Sequence, residues 1–535
     1  MKTLLSKIWL VVNLSLMAYA TSWASDMPGI LPYPNDIKYN QGTLIVGKSL
    51  KVYSDPVFAG EAEKQMIHLE NAMGVTCKTA KKGKATLHIF YNKSIATEGY
   101  SLRVDSRGME ITASTDAGVF YAVKTLEQLI KPNGKKHQCP YVEINDSPAF
   151  GWRGFLLDEA RNFQGKEEVK KILNEMASLK MNVFHWHLTD DQGWRIEIKK
   201  YPRLTEIGGR RDSTQLNWYE STVFDPTPVS GYYTQDDIRE IISYAAERHI
   251  KIIPEIEFPG HASAAIAAYP WLSCSQEPIK VPCSYGVLSG VFNVVNPKVQ
   301  EFIHGVLDEV ADLFPSDIIH IGGDEVKDDD WKASEEVQSF MKQHQIGSSA
   351  ELQVWFTNQL ADYLSKKGKK IMGWNDITGD KLHAFQSGGE VKSQLNPENA
   401  IVQFWVGNPE MCIKALQRGL KIVNSTSEFT YLNYNYDKIV PGLEYAHIPL
   451  PLEKSYSFNP VPEYASSYAN QVLGLTCAMW GEWIYRPSTM YKMVYPYIAS
   501  YAETGWTKNE NKDYKRFLSA LEFFTTKWKS AGYIN

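Results

Sequence analysis

One pattern constrains the fold more than any other: a short apolar run, a loop and an amphipathic segment, repeated from near Gly151 onwards. Eight apolar runs predict strands near residues 154–157, 182–188, 251–255, 318–321, 369–373, 401–405, 420–423 and 473–479. Helical spacing of apolar residues predicts helices near 166–179, 234–248, 297–314, 350–366, 489–502 and 515–529. Strands that alternate with helices favour a parallel sheet, and eight of them predict a (β/α)8 TIM barrel. The alternative is an open doubly wound sheet, but no G-x-G-x-x-G follows an early strand.

The residues before the barrel have a different pattern. Residues 26–148 alternate strand-like runs with turn residues, and one helix is predicted near 116–130. The runs 100–104 and 109–113 flank a turn that contains Gly108, which predicts a β-hairpin. A small α+β domain, residues 26–148, is therefore predicted to precede an α/β barrel of residues 149–535.

The first 25 residues are typical of a secretory signal peptide. Lys2 and Lys7 charge the start, an apolar run follows, and small residues at 18–20 and 22–24 resemble cleavage sites. The apolar run has about a dozen residues, whereas a membrane-spanning helix needs about twenty. We expect an exported protein, periplasmic or secreted, without a membrane span.

Charge and cysteine content exclude some classes of protein. The formal net charge of −5 provides no overall field that would attract nucleic acid. An exported chain permits disulfides, and Cys274 and Cys283 bracket a short loop, so they are the best candidate pair. Cys412 and Cys477 stand in apolar contexts that predict buried thiols. No cysteine–histidine spacing predicts structural zinc.

Polar and aromatic residues collect just after the predicted strands. In a barrel the active site lies at the carboxyl ends of the strands, so these positions are candidates for function. They are Asp158, Arg161, His185, His187, Asp190, Asp191, Glu255, Glu257, His261, Asp324, Glu325, Trp374, Trp405, Tyr431, Asn433, Trp480 and Glu482. Packing alone would favour apolar side chains there. The adjacent acids Asp324 and Glu325 follow the fourth strand and the turn Gly322–Gly323, which makes them the centre of the prediction.

These residue types indicate chemistry on a sugar. Carboxylates and arginine bind hydroxyl groups, and tryptophan packs against the apolar face of a pyranose. Glycoside cleavage needs a carboxylic acid that protonates the leaving oxygen and a second group that meets positive charge at the anomeric carbon. Glu325 suits the acid, because the like-charged neighbour Asp324 favours its protonated form.

Two other classes remain open from the residues alone. His185 and His187 point to the same side of a strand, and with His261 and Asp324 they would form a catalytic metal site of an amidohydrolase or deacetylase. A chelator would abolish such an activity. A non-catalytic glycan-binding protein is the other alternative, although such a protein would not need both Asp324 and Glu325.

Five motifs resemble the bacterial, exported β-N-acetylhexosaminidases of glycoside hydrolase family 20. The motifs are Gly151–Arg161, His185–Arg195, Glu257–His261, His320–Glu325 and Trp480–Glu482. The resemblance covers nearly the whole mature chain. It implies an exo-acting retaining enzyme that removes terminal β-linked N-acetylglucosamine from a glycan, with N-acetylgalactosamine left open as a second sugar. It implies no metal ion and no other cofactor.

The resemblance also implies a role for each residue. The substrate's acetamido oxygen would attack the anomeric carbon and form an oxazolinium ion, as is described for this family. Glu325 would act as acid and then base, Asp324 would hold the acetamido N–H, and Tyr431 would donate to the acetamido oxygen. The other implied contacts are Trp374, Trp405 and Trp480 around the sugar, Arg161 and Glu482 on ring hydroxyls, and Asp190 or Asp191 supporting His261.

Three positions depart from the pattern of the family. Asn433 stands where aspartate is usual, two residues after the tyrosine. Asn375–Asp376 replaces a common Asp–Glu pair, and Asn162 replaces a common histidine. None of them is the predicted acid or its aspartate partner. The reaction class is therefore unaffected, and the preference at C4 of the sugar stays open.

Overall fold

The computed structural model describes residues 29–386, 388–434 and 450–534, so the predicted signal peptide, residues 1–25, lies outside the described residues. The chain forms two compact units. One comprises Met1–Pro148 with Glu510–Lys527, and the other comprises Ala149–Asn509 with Trp528–Asn535. Within the described ranges, no helix is both long and apolar enough to cross a membrane.

The first unit contains a mixed eight-stranded sheet and two longer helices. Its strands are Asp36–Val46, Ser49–Ser54, Thr76–Thr79, Leu87–Tyr91, Tyr100–Asp105, Gly108–Ala113, Lys131–Asn133 and Lys136–Asp146. The predicted hairpin is confirmed, because Tyr100–Asp105 pairs antiparallel with Gly108–Ala113. The helix Asp116–Leu129 is confirmed, whereas the helix Ala59–Met73 was not predicted. Half of the buried side chains of Ala59–Met73 are polar (Glu61 and Gln65), so its apolar periodicity is weak.

The second unit is the predicted (β/α)8 barrel. Its strands are β1 (Trp152–Asp158), β2 (Val183–His187), β3 (Lys251–Glu255), β4 (Ile318–His320), β5 (Lys370–Trp374), β6 (Ala400–Phe404), β7 (Lys421–Asn424) and β8 (Val472–Met479). The eight strands are parallel and close, with β8 pairing with β1. Each strand lies within two residues of its predicted bounds, because an apolar run and the polar residue that ends it mark a buried parallel strand well.

The barrel helices follow the prediction with one correction, and the fifth and sixth of them were not predicted. They are α1 (Lys166–Ser178), α2 (Gln235–Ala246), α3 (Pro297–Leu313), α4 (Ser349–Ser365), α5 (Pro409–Gln417), α6 (Leu452–Ser457), α7 (Pro487–Val494) and α8 (Tyr497–Trp506), and the chain ends with α9 (Tyr514–Ser530). The single helix predicted over 489–502 is wrong. The chain forms α7 and α8 instead, since Pro496 has no N–H to continue the first helix.

Shorter elements lie in the loops of the barrel. The short helices are Arg203–Glu206, Ser263–Ala268, Pro270–Leu272, Asp329–Ala333, Glu335–Gln343, Asn375–Thr378, Ser427–Thr430, Glu463–Gln471 and Asn509–Asn511. Three small hairpins pair Thr189–Asp190 with Gly193–Trp194, Arg210–Arg211 with Val229–Ser230, and Thr214–Gln215 with Phe224–Asp225.

The register of the strands decides which side chains meet inside the barrel. His187 at the end of β2 is level with Asp158 of β1 and with Glu255 of β3, and Glu255 is level with His320 of β4. Side chains two residues apart on a strand face the same way, so on β2, β3 and β4 an inward apolar residue is followed by an inward His185, Glu255 or His320. The apolar layer contains Trp152, Val183, Ile253, Ile318, Met372, Ile401 and Val423. The interior therefore changes from apolar to polar towards the carboxyl ends of the strands.

The cysteines form no disulfide in the structure. All six are free thiols, including Cys274 and Cys283, so the candidate pair is not bonded. Cys412 and Cys477 are buried, as their apolar contexts predict.

Candidate active site

A glycine turn after β4 carries the two adjacent acids. Gly322 and Gly323 have φ angles of 63° and 88°, in the left-handed region that favours glycine. A Cβ atom on Gly322 would lie 1.7 Å from a carboxylate oxygen of Glu257, so a larger residue does not fit. Glu325 itself has φ 52°. The tight turn brings Asp324 and Glu325 to the carboxyl end of the barrel.

His261 joins these acids to a second pair of carboxylates. Its Nε2 lies 3.5 Å from Glu325 Oε2 and 3.7 Å from Asp324 Oδ2. Its Nδ1 lies 3.1 Å from Asp191 Oδ2 and 3.3 Å from Asp190 Oδ1. Burial by itself would lower the pKa of His261, but Asp190, together with hydrogen bonds to both aspartates, raises it well above the ordinary value. The imidazole is therefore positively charged near neutral pH.

Burial makes the Asp324 carboxyl hard to ionise. Burial raises its pKa to about 7, with smaller contributions from Asp376 and Glu325, although His261 opposes the change. Its Oδ1 is buried and has no hydrogen-bond partner among the described residues. A ligand N–H would supply the missing partner and would favour the charged form.

Arg161 is held in the site by two aspartates. Its Nη2 lies 2.8 Å from Asp190 Oδ2 and its Nη1 lies 3.2 Å from Asp158 Oδ2. The guanidinium carbon lies 5.2 Å from the ring centroid of Trp480, which places the planar cation over the indole. Two buried ion pairs and this contact fix the direction of the remaining N–H groups.

The three predicted tryptophans form one aromatic cluster with Tyr431. Trp374, Trp405, Trp480 and Tyr431 pack together with Leu156, Tyr434 and Ala478. Ring centroids are 5.6 Å apart for Trp374 and Trp480, and 6.2 Å apart for Trp405 and Tyr431, whose planes are within 4° of parallel. Burial raises the pKa of Tyr431 well above its ordinary value, so its hydroxyl keeps its proton and can donate.

Glu255 is a buried carboxylate that connects the aromatic wall to the polar residues of the site. Trp374 Nε1 donates to Glu255 Oε1 at 2.7 Å, and His187 Nδ1 contacts Oε2 at 2.6 Å. His185 Nε2 and His320 Nδ1 approach the same carboxylate at 2.8 and 2.9 Å. Burial alone would raise the pKa of Glu255, but the three histidines lower it well below the ordinary value. Glu255 is therefore ionised and is hydrogen-bonded to Trp374 and His187, with two further histidine nitrogens nearby.

The second nitrogen of His187 extends this network. Its Nε2 lies 3.0 Å from Asp190 Oδ2, the oxygen that also holds Arg161. Burial opposes the charge of His187, but Glu255 and Asp190 raise its pKa to about 10. Hydrogen bonds thus run continuously from Trp374 through Glu255 and His187 to Asp190, and from there to Arg161 and His261.

The metal site of the alternative hypothesis does not assemble. Potential ligand atoms in the described ranges fall into separate groups, with His185 beside Glu255 and His320, and His187 beside Asp190 and Glu257. His261 groups with Asp324 and Glu325. The predicted set of His185, His187, His261 and Asp324 is therefore divided among three clusters, each held together by direct hydrogen bonds or ion pairs.

Two further carboxyl groups near the acids, those of Glu257 and Asp191, are poorly suited to act as a nucleophile. Burial, followed by the charges of Asp324 and Glu255, raises the pKa of Glu257 well above the ordinary value, so this side chain stays protonated. Asp191 accepts hydrogen bonds from the backbone N–H and the hydroxyl of Ser263 at 2.9 and 2.5 Å, in addition to its contact with His261. Asp191 is therefore held by neighbours, whereas Glu257 is kept neutral by burial, and its Oε2 has no hydrogen-bond partner among the described residues.

The departures from the family pattern have different structural consequences. The Asn162 amide donates to the backbone carbonyls of Gly481 and Glu482 at 2.7 and 3.1 Å, so it holds the loop after β8. Glu482 lies beside Arg161, and its Oε2 is buried without a partner among the described residues. Asn433 is buried, its Oδ1 also lacks a described partner, and no hydrogen bond links it to the other candidates.

Asp376 and His383 were not proposed as site residues, yet they contact the site. Asp376 Oδ1 accepts the backbone N–H of Glu325 at 3.2 Å, and Oδ2 accepts Trp405 Nε1 at 3.0 Å. His383 Nε2 lies 3.5 Å from Asp376 Oδ1, and its ring packs 5.5 Å from that of Trp405. The position of Asn375–Asp376 just after β5 could have indicated Asp376 from the sequence. His383 lies in a loop without a motif, so the sequence gives no such indication for it.

The barrel carries paired acids, an aromatic pocket and unpaired polar atoms at its carboxyl end. These features are typical of glycoside hydrolases. The comparisons with known proteins agree. The chain matches the model of glycosyl hydrolase family 20, catalytic domain, over residues 150–509, and that of the family's domain 2 over residues 27–147. The chain therefore belongs to glycosyl hydrolase family 20, and the predicted family and barrel fold are confirmed.

Individual relatives support the assignment. A β-hexosaminidase of Porphyromonas gingivalis is 39% identical over 79% of this chain, and one of Vibrio furnissii is 33% identical over 89%. The matched region is 53% of the first relative and 76% of the second. A solved exo-β-N-acetylglucosaminidase of Vibrio harveyi, in complex with N-acetylglucosamine, has a TM-score of 0.81 and 31% identity, covering 94% of this chain and 78% of that one. A β-N-acetylhexosaminidase of Bacteroides fragilis has a TM-score of 0.78 and 30% identity, covering 94% of this chain and 96% of that one.

Proposed function

We propose that the protein is an exo-acting retaining β-N-acetylhexosaminidase that uses the acetamido group of its substrate as the nucleophile. The substrate is a glycan with a terminal, non-reducing, β-linked N-acetylglucosamine. The aromatic cluster of Trp374, Trp405, Trp480 and Tyr431 encloses the sugar. Arg161 and the unpaired oxygen of Glu482 bind its outer hydroxyls.

In the first step, Glu325 gives its proton to the glycosidic oxygen as the bond to the anomeric carbon breaks. The acetamido oxygen forms the new bond to that carbon, and the resulting oxazolinium carries positive charge. Asp324 accepts a hydrogen bond from its N–H, and Tyr431 donates to the acetamido oxygen. As Glu325 becomes negative, the imidazolium of His261 lies 3.5 Å from it.

In the second step, Glu325 accepts a proton from water while the water oxygen attacks the anomeric carbon. The bond from that carbon to the acetamido oxygen breaks, and the acetamido group is restored. Two inversions give net retention of configuration. The nucleophile is already attached to the sugar, so little translational entropy is lost in reaching the transition state.

One observation carries the proposal. Asp324 and Glu325 share a protonated His261, and of the remaining candidates for a protein nucleophile, Glu257 is buried and protonated and Asp191 accepts hydrogen bonds from Ser263. In a two-carboxylate retaining enzyme, the second carboxylate would instead have to face the sugar about 5 Å from the acid. The arrangement therefore favours a nucleophile that arrives with the substrate.

Nitrophenol release tests the proposal. The nitrophenyl N-acetyl-β-glucosaminide and the plain β-glucoside are compared, each with and without EDTA, for the wild type and for Glu325→Gln. We expect cleavage of the N-acetyl substrate alone, indifferent to EDTA and strongly reduced in the variant. Equal cleavage of both sugars would require a protein nucleophile, and loss of activity with EDTA would support the amidohydrolase alternative. Full turnover by Glu325→Gln would contradict the role of the acid.

We also propose that the protein is exported, on the basis of the charged and apolar first 25 residues. N-terminal sequencing of the protein from the periplasm or medium of the producing cells tests this. We expect the chain to begin near residue 25. A mature chain that still begins at Met1 would contradict export.

A further inference from the structure

A second cleft, here called the side cleft, opens beside the catalytic site. Its volume is about 590 Å³, within the range of about 300–1,000 Å³ that is usual for ligand pockets. The loops after β1, β2 and β8 line it, through Phe163, Asn217, Val229, Trp483, Tyr485 and Arg486 among others. All of these residues belong to the barrel unit.

Three aromatic rings line the side cleft, and the positions of two are fixed by packing. Trp483 is 2% exposed and meets the rings of Tyr285 and Tyr219 edge-on, at centroid distances of 4.9 and 5.5 Å. Phe163 packs 4.8 Å from another ring, that of Tyr233. Tyr485 is 38% exposed, although its hydroxyl donates to a backbone carbonyl. The exposed ring of Tyr485 and the half-buried ring of Phe163 suit the apolar C–H face of a pyranose, and the buried Trp483 supports the wall behind them.

Polar groups in the side cleft have hydrogen-bonding capacity that the protein does not use. The indole N–H of Trp483 is buried and has no acceptor among the described residues. Asn217, Arg486 and Thr489 also line the cleft. Among the described residues, their side chains make no hydrogen bond or ion pair. Of these groups the Trp483 N–H is the buried one, and an unpaired buried donor is rare in folded proteins and points to a ligand that supplies an acceptor, as a sugar hydroxyl does.

The side cleft is separate from the catalytic pocket but shares a wall with it. The Tyr219 hydroxyl donates to Glu482 Oε1 at 3.4 Å, while its ring packs against Trp483. Asn162 lines the cleft and donates to the carbonyl of Glu482. The carboxylate of the cleft, Asp225, accepts the backbone N–H of Thr227, and no second acid of the described lining pairs with it. The chemistry is that of binding without cleavage.

We propose that the side cleft is a second saccharide-binding site, which holds a sugar residue through aromatic stacking and hydrogen bonds without hydrolysing it. The proposal does not depend on the reaction proposed for the catalytic pocket. A glycan with several sugar residues could then be held at two places on the barrel, and a single sugar would bind the side cleft more weakly than the enclosed pocket.

Indole N–H signals in NMR spectra provide the test. A ¹⁵N-labelled Glu325→Gln protein is titrated with N,N′-diacetylchitobiose and, separately, with lactose, and Trp483→Phe identifies the Trp483 signal. We expect at least one of these sugars to shift the Trp483 signal with its own dissociation constant, distinct from that of Trp480. Adding Tyr485→Ala and Arg486→Ala should weaken the Trp483 response at least about tenfold and leave the Trp480 response unchanged.

Two controls accompany this test. Tyr464→Ala removes another exposed tyrosine of the barrel unit, 41% exposed, and should change neither response. In the otherwise wild-type protein, Tyr485→Ala with Arg486→Ala should leave kcat/KM for a nitrophenyl monosaccharide within about twofold. A Trp483 signal that neither sugar moves would overturn the proposal. So would a signal that follows Trp480 with the same constant and ignores the double substitution.

Discussion

Asp324 illustrates, at the scale of a single residue, how a site can cost stability. Its folded pKa of about 7 lies above the ordinary value of about 4, because burial disfavours the charge. The folded state therefore holds a proton that the unfolded state has lost. Stability is greatest below about pH 4 and falls as the pH rises through 7. Ionised Asp324 above pH 7 is thus a destabilising group kept for its chemistry.

Asp324→Asn should consequently separate stability from activity. Asparagine has no charge to bury, so the melting temperature of the variant relative to the wild type should rise between about pH 4.5 and about pH 8. Hydrolysis should fall by about a hundredfold or more, because the amide cannot offset the oxazolinium charge. Thermal melts and initial rates at both pH values measure this. Asp329→Asn, at an exposed neighbour, is the control, and an equal difference in melting temperature at both pH values would contradict the account.

Glu255 tests the buried network below the pocket. Glu255→Gln takes the charged acceptor away from Trp374 and His187, and breaking a buried charged network costs about 3–5 kcal/mol. We expect a lower unfolding midpoint in denaturant and at least about a tenfold lower kcat/KM, since Trp374 loses its anchor. The exposed Glu428→Gln should change stability by less than about 0.5 kcal/mol. A Glu255→Gln protein as stable and active as the wild type would refute the anchoring role.

At the scale of an element, the turn after β4 determines the position of both acids. Gly322 and Gly368 both have positive φ, but a Cβ atom would strike Glu257 only at Gly322 and would meet open space at Gly368. Comparing substitutions at these two glycines separates the effect of backbone strain from the effect of displacing Glu257. Strain alone costs about 1–2 kcal/mol at either position.

Gly322→Ala should therefore abolish most activity, by about a hundredfold or more, because a displacement of about 1 Å at reacting groups has that effect. Gly368→Ala should lower the unfolding free energy modestly and keep kcat/KM near the wild-type value. Denaturant unfolding and initial rates on the N-acetyl substrate give both quantities. If the two variants lost activity equally, the contact with Glu257 would not be the reason for glycine at position 322.

Elements with a strong local signal were predictable from the sequence. The strands of the barrel are apolar runs that end in a polar or aromatic residue, and this pattern placed β3 correctly over residues 251–255. The helix Ala59–Met73 was missed because polar side chains occupy much of its buried face. The break between α7 and α8 was missed because apolar periodicity continues across Pro496.

The sequence predicted which residues form the candidate site, but not the hydrogen bonds and ion pairs that link them. Asp324, Glu325 and His261 were predicted as site residues because each follows a predicted strand. The role of Glu255 depends on the register of three neighbouring strands, which no local pattern encodes. His383 reaches the site from a loop, where sequence carries little positional information.

At the scale of the whole molecule, the closed barrel brings side chains from distant parts of the chain to one end. Asp158 of β1 and Glu482, just after β8, both lie beside Arg161 because β8 pairs with β1. The residues of the site come from the ends of eight parallel strands, so each strand contributes few of them. The buried polar layer continues beneath the pocket as far as Glu255. On this arrangement rests the proposal that the substrate itself provides the nucleophile.

The most direct test of that central claim varies the nucleophile on the substrate. Initial rates are compared for the nitrophenyl β-glucosaminides that carry acetyl, monofluoroacetyl, difluoroacetyl and trifluoroacetyl groups. Fluorine withdraws electrons from the acyl oxygen, so kcat/KM should fall steadily along the series, in the wild type and in the Tyr485→Ala control alike. Rates that are insensitive to fluorination would contradict substrate-assisted catalysis and would require a nucleophile from the protein.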